Sequence, residues 1–143
     1  AVDNGMMVVA TASSLNQDYI QELGASPGSY GEGLIERLNQ VHPEKFDASI
    51  DMIGNEDATQ ASLATVKADG FMGSIAGRKL SSTRIKPVWV KRNVANLQHV
   101  VDGVADGQYT WAVSREYPFE QAQQAYSDIL DGHTKGKSVL IFD

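Results

Sequence analysis

A parallel α/β sheet with crossover helices on both faces is the fold class this 143-residue sequence predicts. Short apolar runs alternate with helix-like stretches at the spacing of β-α-β units. The runs themselves are continuous, as in strands covered on both sides, rather than alternating as in a strand with one wet face. No internal repeat and no low-complexity tract interrupts the pattern.

The elements follow in order. "MMVVATA" (6–12) reads as a strand buried on both faces. Leu15, Tyr19, Ile20 and Leu23 recur at helical spacing, with Ser13 or Ser14 as cap and Gly24 as terminator. "SPGSYGEG" is turn-rich with room for one very short strand, and "LIERLNQV" resumes a helix that His42-Pro43 ends. "FDASIDMIG" (46–54) is a second buried strand. "DATQASLATVKADG" reads as a helix capped by Asp57 and closed by Gly70. "FMGSIAG" and "RIKPVWV" are strands, the latter with a free or bulged side at Pro87. Val94, Leu97, Val101 and Val104 stripe a helix over 93–105. "YTWAVSREYPF", a helix over 119–131 and "SVLIF" finish the chain.

The balance of residues bounds the function. At 42% hydrophobic and 21% charged, the chain has the composition of an ordinary folded domain rather than a disordered tail. A formal charge of -6, with no basic run longer than Lys91-Arg92, argues against a nucleic-acid partner. No apolar run approaches a membrane span and no signal-peptide pattern opens the chain, so a cytoplasmic protein without a membrane partner is expected. There is no cysteine, hence no thiolate nucleophile and no Cys-ligated zinc.

Chemistry-bearing motifs are few. His42, His99 and His133 lie in different segments without metal-ligand spacing, so neither a metal site nor a catalytic group is expected. A G-x-G-x-x-G loop is absent; the glycines at 28, 31 and 33 and at 70, 73 and 77 read as turn and packing positions. Asp47 and Asp51 fall on one face of a strand about 13 Å apart, too far for a carboxylate pair. Asp51 is either a cap on the strand's exit into a ligand crevice or a plain loop-facing acid. Ser13 and Ser14 follow a strand's carboxyl end, where open α/β sheets bind ligands. They can contact a ribose or 2′-phosphate, or simply cap the helix.

In this order, "VVATASS", "ELGAS", "FDASIDMIG", "ADGFMGSIAG" and "YPFEQAQQAYSDILDGHTKGKSVLIF" resemble the medium-chain dehydrogenase/reductase superfamily, in its NADPH:quinone reductase and zinc-binding-dehydrogenase-like branch. The ending is the most specific part. The resemblance implies an incomplete Rossmann-like parallel sheet lacking its first strand: residues 1–107 are a partial nucleotide-binding domain, and 108–143 form a strand-helix-strand that returns to a catalytic domain. It implies the cofactor-binding part of an NAD(P)H-dependent oxidoreductase, with NADPH or NADH as cofactor, inactive as an isolated segment. The class alternative is a non-catalytic Rossmann-like binding or interaction module.

The positions carried over are contacts, not catalytic groups. Ser13 and Ser14 match the adenosine ribose or 2′-phosphate site, where Asn16 replaces a lysine common in NADPH-using members, a departure that counts against phosphate recognition. Tyr30 matches a tyrosine at the same end. Ile53 and Gly54 match a turn on the adenine side, and Ile75, Ala76 and Gly77 match a loop near the nicotinamide. The "RIKPVWV" segment resembles a dimer edge, so a homodimer through Ile85–Val90 is expected. Without a first strand, the gap in the sheet should close by a shift of neighbouring strands, by insertion of "SVLIF", or by a strand from a second chain.

Overall fold

The computed structural model describes residues 1–77, 80–132 and 134–142. Of the three histidines, His133 lies outside the described residues. The chain divides into two compact units, Ala1–Val90 and Lys91–Asp143.

The first unit holds two parallel sheets. β1 (Val9–Ala12) pairs with β2 (Ser26–Ser29), and β3 (Phe46–Asp51) pairs with β4 (Val66–Ser74), which in turn pairs with a two-residue β5 (Lys86–Pro87). Three helices connect them: α1 (Gln17–Glu22) packs on β2, α2 (Leu34–Val41) on β2 and α3, and α3 (Glu56–Thr65) on β3 and β4. The core gathers Val66, Met72 and Ile85, each at most 2% exposed, with Phe46, Leu63 and Leu80 around them.

The second unit contains α4 (Val94–Ala105), β6 (Val113–Pro118), α5 (Ala122–Leu130) and β7 (Lys137–Ile141), with β6 and β7 parallel. Tyr117, buried on β6, donates to Asp128 of α5 at 2.7 Å, and Arg115 donates to both Tyr117 and Asp128. The rings of Phe119 and Phe142, tilted at 31° with centroids 4.6 Å apart, meet just past the carboxyl ends of the two strands.

Five expectations need correction. The gap between β1 and β3 is not closed within the chain: neither pairs with the other, and the "SVLIF" strand pairs with β6. The two closures expected from within the chain therefore do not occur; Thr11, Ala48 and Ile50 are exposed, so backbone groups beside the gap can bond to water. β1 is half-buried rather than covered on both faces, and Met6 and Met7 before it stand exposed. Helix α1 starts only at Gln17, after a 3-10 turn over Ser14–Asn16, which turns Leu15 to solvent at 82% exposure.

α3 is capped by Asn55, whose side-chain oxygen accepts from Ala58 N at 2.9 Å. It ends at Thr65, not Gly70. The next residue, Val66, is pulled into the ladder opposite Phe46, and Ala48 pairs with Phe71, so extra residues bulge out between the two pairings. Finally, the edge strand expected over 85–90 is regular only at Lys86–Pro87, because its partner β4 ends at Ser74, opposite Pro87. Val88 N still reaches Ser74 O at 2.8 Å, while Trp89 and Val90 are exposed.

Candidate functional site

The nine positions expected to contact a cofactor fall into four groups, each just beyond the carboxyl end of a parallel strand. Ser13, Ser14 and Asn16 follow β1, Tyr30 follows β2, Ile53 and Gly54 follow β3, and Ile75, Ala76 and Gly77 follow β4. Within each sheet the strands are parallel, so their ends gather at one edge.

At the β1 end, Ser13 opens the 3-10 turn with an extended backbone, yet its side chain makes no capping bond. Its Oγ is buried without a hydrogen-bond partner. A buried hydroxyl with no partner is costly. Capping therefore does not account for Ser13. Ser14 is exposed and Asn16 half-buried.

Two residues that the sequence does not single out frame this end. Gln17 Nε2 donates to Ala12 O at 2.8 Å and Gly28 O at 3.0 Å, tying the ends of β1 and β2 together. Arg37 donates to Glu32 O at 2.7 Å and Ser29 O at 3.0 Å, bracketing the turn that carries Tyr30. Tyr30 itself is 59% exposed. Arg37 lies one helical turn past Gly33, which is the one sequence cue to its role; Gln17 leaves none.

At the β3 end, Asp51 is buried at 5% exposure. Its Oδ1 accepts from Ile53 N at 2.8 Å and Gly54 N at 2.9 Å, an Asx-type turn. Gly54 takes φ 73°, a backbone angle that side chains resist, which explains glycine at this turn. Asp51 Oδ2 accepts from Ser74 Oγ at 3.2 Å, and Ser74 Oγ accepts from Ala76 N at 3.3 Å. Of the two readings of Asp51, the strand-exit cap is the one the geometry supports; Asp47, at the strand's start, pairs instead with Lys67 at 2.6 Å in solvent. That hydrogen bond holds the Asp47 carboxyl below the ordinary carboxylate range. Ser74, Ile75 and Gly77 line a small hollow of about 50 Å³ with Leu80, Pro87, Val88 and Trp89.

The profile of the zinc-binding dehydrogenase family matches residues 29–140. The chain belongs to the zinc-binding dehydrogenase family. Solved structures agree on the fold of this family member. A quinone oxidoreductase from Coxiella burnetii superposes with a TM-score of 0.81 at 23% identity, over 100% of this chain and 47% of that one. An NAD-dependent alcohol dehydrogenase gives 0.82 at 18%, over 96% and 44%. A mycobacterial protein complexed with NADPH gives 0.74 at 19%, over 96% and 49%. The chain thus spans about half the length of these structures, and the likeness is one of fold. Among curated proteins none matches.

The family name implies zinc, but the residues present do not fit it. There is no cysteine, and among the described residues no group of three His, Asp or Glu side chains could hold a metal ion. Among the same residues no helix is long and apolar enough to cross a membrane.

Proposed function

We propose that this zinc-binding dehydrogenase segment is the cofactor-holding part of an NAD(P)H-dependent oxidoreductase acting on quinones, enones or alcohols. The observation that carries the reading is the collection of all nine contact positions beyond strand carboxyl ends, the edge where open α/β sheets take ligands. At the β1 end the exposed Ser14, beside Ser13, would meet the adenosine ribose. The Ile53-Gly54 turn would flank the adenine, and Ile75, Ala76 and Gly77 the nicotinamide. The dinucleotide, NADPH or NADH, supplies a hydride when bound; the chain's own residues hold and orient it.

In the same reading residues 1–107 are the nucleotide-binding part, 108–143 return to a catalytic domain, and the segment alone is inactive. The protein is cytoplasmic, and it forms a homodimer through the Ile85–Val90 edge. Support for the dimer comes from β5, which among the described residues pairs on one side only, and from Trp89 and Val90, 72% and 93% exposed beside it.

The test is a titration of the complete protein with NADPH, NADH and 2′-phospho-adenosine ribose, followed by fluorescence of Trp89 and Trp111. Trp89 borders the hollow beside Ile75, so a dinucleotide should change its emission and Trp89→Phe should remove most of the response. No response to any of the three would overturn the reading in favour of a non-catalytic interaction module. Dimerisation has its own check: light scattering at rising concentration should show a dimer that Trp89→Glu dissociates.

A further inference from the structure

We propose that Asp51 is a positioning residue that sets two cofactor-contact loops from one buried carboxylate; the proposal rests on the cofactor reading above. One oxygen fixes the Ile53-Gly54 turn through two backbone amides. The other holds the Ser74 hydroxyl, whose oxygen in turn takes the Ala76 amide. The Asp51 backbone joins in, since its carbonyl accepts from Ile75 N at 2.9 Å. Loops that follow different strands therefore share one anchor. Both Asp51 and Ser74 are buried, at 5% and 4% exposure, so water does not compete for these bonds.

Direction of donation makes the two loops separable. In Asp51→Asn the amide oxygen still accepts from Ile53 and Gly54. The amide nitrogen, however, now meets Ser74 Oγ as a second donor, and the Ser74 proton loses its acceptor. The turn after β3 survives, and the loop after β4 loosens. Ser74→Ala frees the Ala76 amide by a different route and leaves the Ile53-Gly54 turn intact. Asp51→Ala removes both anchors.

The experiment compares ADP-ribose, which reports the adenosine side, with the whole dinucleotide in the complete protein. Asp51→Asn and Ser74→Ala should keep ADP-ribose affinity within about twofold while dinucleotide affinity falls about tenfold, the scale of one lost hydrogen bond to an ionised group. Asp51→Ala should weaken both ligands. A role in stability alone would move thermal unfolding and leave the ratio of the two affinities unchanged, which would overturn the proposal. So would equal losses for both ligands in Ser74→Ala, the variant that decides if Asp51→Asn does not fold. A wild-type protein that binds neither ligand defeats the cofactor reading instead.

Discussion

Asp47 and Asp51 share a strand, but one ends in water and the other in the core, and the difference follows from what each meets. Asp47 faces Lys67 across the bulge, an exposed pair of the kind that adds little to stability. Asp51 meets backbone amides at a strand end, where a carboxylate is one of the few groups that can satisfy them together. Gly70, in that same bulge, has a different necessity. A Cβ there would lie 2.6 Å from Val66 Cγ1 and 2.7 Å from the Asp47 carbonyl oxygen, and the carbonyl belongs to a strand that cannot retreat. Gly70→Ala should cost about 1–3 kcal/mol, as overpacking does. Asn55→Ala, which removes the cap of α3, should cost about 1 kcal/mol. Urea midpoints with unchanged slope would measure both, and a Gly70→Ala protein as stable as the wild type would contradict the close approach.

Periodicity made most elements legible, since α2, β3, α4 and the closing strand-helix-strand are where the apolar spacing puts them. The end of α3 was not, because "ASLATVKADG" keeps helical spacing past Thr65. Ladder pairing of Val66 with Phe46, a contact between residues far apart in sequence, overrides it. The expected contact groups came from the resemblance to the family, not from spacing, whereas Gln17 and Arg37 bond to carbonyls that only the folded chain brings near. Asp51 was half-legible, as an acid at a strand's exit with two readings left open. In the second unit, the bond from Tyr117, followed by those from Gln124 and Arg115, lowers the Asp128 pKa. A lowered folded pKa stabilises the fold above the unfolded value near 4, and that contribution disappears as pH falls through the folded value. The gap in urea midpoint between wild type and Asp128→Asn should therefore be open at pH 7 and narrow as pH falls below about 4. A gap that persists at low pH would detach Asp128 from the effect.

For the whole molecule the decisive quantity is surface. The chain exposes 10682 Å². Two separate compact domains of 90 and 53 residues would together expose about 8,600 Å², so the excess arises within the units, whatever their arrangement. Much of it is apolar: Met6, Met7, Ile50, Met52, Ile53 and Phe71 in the first unit are each about half exposed or more. The amphipathic helix α2 has no fully buried residue. In the doubly wound order a strand stands between the counterparts of β1 and β3. One parallel strand in that position would give both open edges a ladder and cover apolar side chains near them. Residues 1–143 alone should therefore bind the dye anilinonaphthalene sulfonate strongly and associate with rising concentration. A longer polypeptide that supplies the strand ahead of Ala1 should bind less dye, unfold at higher urea, and protect the β1 and β3 amides from hydrogen exchange. Equal dye binding and exchange in the two would mean that the gap is not a strand site, and that the exposed surface serves another partner.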